Sequence, residues 1–507
     1  MSEAKRFFKS GILLTLVGLG MKTAAMMLGA YISRSIGAEG TGLYTMIMTV
    51  YSFAITLATS GISLTVTRLV ASAVGEGRPC DIGRILTGSC IYAAAFGSLA
   101  TLGLFFGADL LGNTILSDER TVTSLRVLAV SLIPAALSSA LTGYFVGVKR
   151  VGFNAALSLF TQALRMILTV TLVSYLSPRG IVAAVIGLCL GITITEILGF
   201  CLIFFELLYD WRKNGVKGND KRPELSSVAT TALPLGFSAY VRSFLLNVEH
   251  ILIPKKLRES GESQAEAYSH YGILHGMALP LIMYPMSPLS SFAGLLVPEF
   301  AEDMSACKWE RMSRIASKAT NATLSYSFIS AVFLFSFAEE LGYLIYGSYD
   351  AGYYISTLAF VVPIMYLDHV TDSILKGIGE QVYSMWVNIS DSLLSVILVW
   401  LLIPRMGIMG YAVVILVMEA YNFVLSFVRL RKKVRFSVSI TSSVLVPLVA
   451  AAFSSYISNL LFRFNGSTAT PLWLTMKMVF ALSVTVFIIA VFNIKSPSRK
   501  NKKRQFV

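Results

Sequence analysis

Runs of about twenty apolar residues succeed one another from end to end of the chain, separated by short turns that carry most of the charge. Each run is long enough to cross about 30 Å of hydrocarbon as a helix. The stretch Tyr31–Ala71 sets the pattern. An apolar helix ends at Arg34, a turn punctuated by Gly37, Gly40 and Gly42 reverses the chain, and a second apolar run leads to Arg68. Fourteen spans are predicted, at about 10–33, 43–71, 83–106, 121–147, 153–175, 181–208, 227–253, 268–297, 315–337, 352–376, 383–402, 408–430, 437–461 and 470–493. Helices satisfy their own backbone groups in lipid, and the alternating strands of a barrel are absent from the sequence. The expected fold class is therefore an all-α polytopic membrane protein.

The pattern repeats. Displaced by about 230 residues, the first six spans fall on the next six. The shift pairs Ala71 with Ala301, Arg84-Ile85 with Arg314-Ile315, Gly112 with Gly342 and Gly147 with Gly377. Further on, Pro178-Arg179-Gly180-Ile181 matches Pro404-Arg405-Met406-Gly407-Ile408. Two pseudo-symmetric six-helix lobes of like orientation follow, as in parallel-repeat transporters. The expected division is an N-lobe over 1–208, a cytoplasmic linker over 209–226, a C-lobe over 227–430, two appended spans within 431–493 and a basic tail over 494–507. The appended pair has no counterpart in the repeat, and its cations Arg463 and Lys477 lie near span ends, so it is expected to be peripheral.

Composition adds orientation. The 507 residues are 55% hydrophobic and 14% charged, with a net charge of +14 and a mean hydropathy of +0.70. With the N-terminus inside, the even-numbered gaps and both tails hold most of the 42 basic residues. They include Lys149, Arg150, the Trp211–Arg222 loop, the Arg429–Arg435 run and Lys495–Arg504. One outer loop is acidic through Glu339, Glu340 and Asp350. The positive-inside rule therefore places both termini in the cytoplasm and accounts for the charge without nucleic acid. The apolar run after the basic start continues to about Ser33 without a small-residue cleavage site, and reads as the first span. Five scattered cysteines and four histidines offer no metal or disulfide spacing. No Walker loop, HExxH or nucleophile elbow occurs, so the expectation is no enzyme, no cofactor and no ATP site.

Ionisable residues in mid-span are costly and mark function by default. Lys22 sits near the centre of span 1, and Arg242 in the middle of span 7 is its counterpart. Arg165 lies at the centre of span 5, while the matching part of span 11 carries Asp391. Glu196 and Glu419 are mid-span in helices 6 and 12, Glu249 is near the outer end of span 7, and Asp368, His369 and Asp372 line the inner half of span 10. Arg34 and Arg68 stand near the interfaces, where snorkelling is the bland explanation. The bland explanation for the deep charges is helix-to-helix pairing, with Glu196 neutralising Arg165 or Lys22. Pro280, Pro285 and Pro288 should break span 8, and Pro134 and Pro363 should kink spans 4 and 10 alike.

The segments IGAEGTGLY with the following LVA, GYFVGVKR with TQALR, YGILHGMALPLIMYP with LVPEFAE, and LKGIGE with LIPRMGIMGY cover the chain in order. On these it resembles the oligosaccharidyl-lipid flippases of the MATE-like (MOP) superfamily, in the stage V sporulation protein B and polysaccharide-biosynthesis branch. The resemblance implies two bundles around a cationic central cavity in a bacterial cell membrane. It implies flipping of an undecaprenyl-diphosphate-linked saccharide, a lipid II-like precursor or a polysaccharide repeat unit, from inner to outer leaflet by alternating access. Lys22 and Arg165 match basic positions of the family pattern. Thr161-Gln162 and Glu249 depart from it. Substrate binding is thus expected at Lys22, Arg165, Arg242, Arg34 and Arg68, and coupling or gating at Glu196, Glu249, Asp391 and Glu419. Membrane lipids and cell-wall synthesis proteins are the expected partners, and Na+, H+ or the membrane potential the expected drive. Two rivals remain open: a cation-coupled multidrug antiporter and a non-transporting scaffold of a cell-envelope synthesis complex.

Overall fold

A computed structural model describes residues 3–75, 80–148, 150–214, 225–462 and 470–495. Within these, the side chains of 3–19, 75, 80, 151–155, 213–214, 234–235, 238 and 493–495 are not described. Lys149, Lys217, Arg463, most of the expected linker and nearly all of the basic tail lie outside the described residues.

All elements found among the described residues are helices. Nine stretches are long and apolar enough to cross a membrane, or up to twelve if each of three bent pairs is one span. The difference from fourteen has two visible sources. The first stretch, Gly20–Val74, holds two of the predicted spans, and the helix Leu225–Glu259 is not among those that pass.

Packing divides the chain into two units, Met1–Gly272 with Ser392–Gly410, and Ile273–Asp391 with Tyr411–Val507. The repeat and the packing thus cut the chain at different places, since the predicted span 7 clusters with the first unit. That unit contains α1 (Glu3–Thr59), α2 (Ile62–Gly75), α3 (Cys80–Leu110), α4 (Val122–Ala129), α5 (Leu132–Gly147), α6 (Val151–Leu176), α7 (Ile181–Asn214), α8 (Leu225–Glu259) and α9 (Gln264–Tyr271). Here α5 packs on α2 and α3, α6 on α7, and both α8 and α9 on α1. The predicted glycine turn is in fact one residue wide. Only Gly37 leaves helical geometry, at φ 72 and ψ −176, a left-handed φ that suits glycine. Gly40 and Gly42 stay helical and serve contact instead, Gly42 lying against the backbone of Tyr268. Beyond the kink, Thr41, Thr45 and Thr49 donate to carbonyls one turn back at 2.7, 2.7 and 2.9 Å. Polar side chains inside the membrane are satisfied by their own helix in this way.

The second unit contains α10 (Leu279–Met283), α11 (Met286–Ser305), α12 (Trp309–Ser336), α13 (Ala338–Leu341), α14 (Tyr349–Leu358), α15 (Val362–Gly377), the start of α16 (Gln381–Met406), most of α17 (Ile408–Lys433), α18 (Val446–Leu461) and α19 (Pro471–Lys495). Span 8 breaks where the prolines predict, with a 58° bend between Met283 and Met286 around Pro285. Span 4 bends by 41° just before Pro134. A tighter turn over Ala359–Val361 precedes Pro363 in span 10.

The appended spans are tied in. Asn321 of α12 accepts hydrogen bonds from the Ser439 backbone and the Ser443 hydroxyl, both at 2.8 Å, and donates to the Ser437 carbonyl at 2.9 Å. Lys477 of α19, 1% exposed, donates to Glu340 at 2.6 Å. Glu340, expected in an open outer loop, is itself buried.

Candidate functional site

In the first unit the deep charges of spans 5 and 6 meet. α7 carries Gly187, Gly191 and Gly199 toward α6, where an added side chain would press on Leu172 or Leu176, Thr169 and Thr161 respectively. Small residues let membrane helices approach in this way. The approach brings Arg165 Nη2 to 2.7 Å from Glu196 Oε1. Ser138, Thr142, Ser158, Thr161 and Thr195 surround the pair in a polar pocket of about 140 Å³. The guanidinium Nε has no hydrogen-bond partner among the described residues. Of the two pairings open to Glu196, Arg165 takes it.

Lys22 is left over. It is exposed on α1 and makes no ion pair among the described residues. Arg34, Arg68 and Arg242 are also exposed, on α1, α2 and α8. Glu249 is buried on α8, one residue before His250, whose Nδ1 stands 3.1 Å from the Tyr271 hydroxyl of α9. Tyr271 also lies 3.5 Å from Thr49 of α1. This corner is therefore a packed junction of three helices. The structure collects Arg165 and Glu196, and Lys22, Arg34, Arg68 and Arg242 are exposed at other positions of the unit.

In the second unit the acids converge. Asp368 of α15, Asp391 of α16 and Glu419 of α17 lie within electrostatic range of one another. The Ser426 hydroxyl is bonded to Asp368, whose buried Oδ1 has no partner among the described residues, and neither has Oδ1 of Asn422 one helical turn beyond Glu419. Asp372 also lies within electrostatic range of Asp368, and it carries its own ion pair with Lys376 at 2.5 Å. Sequence reasoning named Asp391 and Glu419 but left Asp368 out of the site. Its place one turn before the paired Asp372 was the available signal. Among the described residues no three His, Cys, Asp or Glu side chains come close enough to hold a metal ion. Such a group can exchange charge, because ionisation of one member acts on the others.

Comparison with known proteins places this arrangement. The profile of the Polysaccharide biosynthesis protein family matches residues 7–304, more than half of the chain. The chain belongs to that family. A MatE profile matches residues 275–401. Stage V sporulation protein B of Bacillus subtilis (strain 168) is 28% identical over 423 residues, covering 81% of each chain. Among solved structures, the lipid II flippase MurJ in an inward closed conformation superposes with a TM-score of 0.72 at 12% identity. It covers 96% of this chain and 99% of its own. An inward-facing multidrug resistance MATE transporter of the MOP superfamily gives 0.65 at 15% identity, covering 82% and 98%. At these identities the two structures speak for the fold alone. This polysaccharide biosynthesis family member is thus a multi-pass membrane protein with the fold of those two structures.

Proposed function

We propose that the protein flips an undecaprenyl-diphosphate-linked saccharide from the inner to the outer leaflet of a bacterial cell membrane, with both termini in the cytoplasm. One observation carries this reading: Lys22, deep in the first span of a polysaccharide biosynthesis family member, is an exposed cation with no acid beside it among the described residues. A cation held in mid-membrane without a partner is costly, and a diphosphate is a ligand that offsets the cost through charge-assisted hydrogen bonds. Arg68 and Arg242 supply further exposed positive charge in the same unit. The names of the relatives fit, since one is a stage V sporulation protein and one a lipid II flippase. A lipid II-like precursor is the substrate they favour.

The Asp368, Asp391 and Glu419 group supports proton uptake as the coupling step, and an inside-negative potential adds a second drive. Moving two negative charges outward gains up to about 4–5 kcal/mol at roughly 100 mV. The test is reconstitution into proteoliposomes with a fluorescent lipid-linked saccharide in the inner leaflet. Outward flipping that needs Lys22 and responds to an imposed pH gradient is the expected result. Cation-driven drug efflux without lipid movement would establish the antiporter instead, and no transport of either kind would leave the scaffold.

A further inference from the structure

The second unit carries a basic cleft apart from the charged groups described above. It has a volume of about 700 Å³ and is formed where the first turns of α12 meet the end of α17, with Trp309, Ser313 and Arg314 facing Lys433 and Arg435. Its base is rigid. Met312 and Val434, beside these residues, are buried in an apolar cluster with Leu430, Ile374 and Phe300.

The cations near it are mostly committed. Arg311 pairs with Glu299 at 2.8 Å and Asp303 at 3.0 Å. Lys433 and Arg429 both hold Glu380, at 2.8 and 2.7 Å. Arg431 lies over the rings of Phe427 and Phe436. Arg314 and Arg435 are different. Neither has an acid partner among the described residues, and Arg314 makes only a long 3.4 Å contact with the Glu310 carbonyl oxygen. Both line the same cleft, together with the Ser313 hydroxyl and the exposed indole of Trp309.

We propose that this cleft binds a phosphate group, held by the guanidinium groups of Arg314 and Arg435 and the hydroxyl of Ser313. Guanidinium forks match phosphate oxygens in geometry as well as charge. Trp309 stands at the head of a membrane-crossing helix, where amphipathic rings lie at headgroup level. The Glu310 carboxylate on the same rim opposes binding. The phosphate comes either from an anionic phospholipid of the adjoining leaflet or from a free phosphate compound.

Emission from Trp309, isolated by difference against Trp309→Phe in the full chain, tests both sources. One arm places the protein in nanodiscs containing headgroup-labelled nitroxide phosphatidylglycerol or phosphatidylcholine. The other titrates detergent-solubilised protein with inorganic pyrophosphate. Selective quenching by phosphatidylglycerol identifies the lipid source, and a saturable response to pyrophosphate identifies the free one. In either arm Arg314→Gln with Arg435→Gln should weaken binding by about tenfold or more. Glu310→Gln should strengthen it, and added salt should weaken it. No Trp309 response in either arm overturns the proposal. So does a response that the double variant leaves intact, or one that Glu310→Gln fails to strengthen.

Discussion

Gly147 and Gly377, 230 residues apart, close the same contact in the two units. A methyl group on Gly147 would come to 2.9 Å from Val70 Cβ and 3.1 Å from the Thr67 carbonyl oxygen. On Gly377 it would come to 2.8 Å from Phe300 Cβ and 2.9 Å from the Val297 carbonyl oxygen. Val70 and Phe300, and Thr67 and Val297, are themselves 230 apart. The residues after the two glycines share a conformation, Val148 at φ −83, ψ 11 and Ile378 at φ −86, ψ 9.

Alanine at either glycine should therefore cost stability by overpacking, about 1–3 kcal/mol. Gly103 is the control, since nothing lies within 4 Å of its added methyl. There, Gly→Ala in a helix interior should be neutral or gain up to about 1 kcal/mol. Thermal unfolding of the three variants in detergent checks this. Equal shifts at all three sites would remove the close contact as the reason for glycine.

Three residues beyond each glycine the repeat keeps a bridge and reverses its sign. Arg150 N donates to Phe145 O at 2.8 Å and Glu380 N to Leu375 O at 2.9 Å. The Arg150 side chain pairs with Asp210 of α7, and that of Glu380 with Arg429 and Lys433 of α17. Lys433 and Arg429 hold the Glu380 carboxyl below its ordinary value of 4.5. A lowered folded value means that the stabilisation is present above about pH 4.5 and is lost as pH falls through the folded value. Glu380→Gln should lower stability at pH 7 by about 1–2 kcal/mol and flatten its decline between neutral and acid pH. Parallel pH profiles for the two proteins would argue that the bridge contributes nothing.

The sequence discloses what depends on spacing and hides what depends on helix rotation. Gly112 and Gly342 were matched by the shift, and the structure gives them matching bonds, Asp118 N to Gly112 O at 2.8 Å and Ser348 N to Gly342 O at 3.3 Å. Pro285 announced its break because proline cannot complete the ladder. Nothing in spacing, however, says which face of span 6 carries Glu196 toward which neighbour, so its two partners stayed open until packing chose Arg165. Asp368 was visible as a mid-span acid, but its nearness to Asp391 and Glu419 joins three helices. The Gly37 kink was legible in kind and overestimated in width, because Gly40 and Gly42 are there for close approach.

Arg165, paired with Glu196, and Lys22, which makes no ion pair among the described residues, should respond differently to neutralisation. Lys22→Gln should abolish most flipping with unfolding temperature unchanged, and Lys22→Arg should keep part of it. Arg165→Gln leaves Glu196 uncompensated and should lower stability, by about 3 kcal/mol at full burial and less here because the pair is partly exposed. Arg165→Gln with Glu196→Gln should recover folding. If the double variant folds normally yet stays inactive, Arg165 has a role in substrate contact as well as in pairing.

Lys477 and Glu340 make the clearest case against a peripheral pair of terminal helices. Lys477 is 1% exposed and Glu340 6%, and their charged groups meet at 2.6 Å. The ammonium also lies over the rings of Trp473 and Phe337, 4.9 and 5.2 Å from their centroids. Removing one member of such a pair strands the other charge in a dry site, at a cost of about 3–5 kcal/mol. Glu340→Gln and Lys477→Met should each destabilise the protein strongly and release α19 from α13. Together they should cost far less, because neutral groups need no partner charge. A double-variant cycle on unfolding temperature measures the coupling directly. Cysteine labelling supplies an independent reading, since Glu340→Cys should react slowly and Glu339→Cys, on the exposed side of the same turn, rapidly. Additive losses in the cycle, with equal labelling at the two positions, would detach the terminal helices from the second unit.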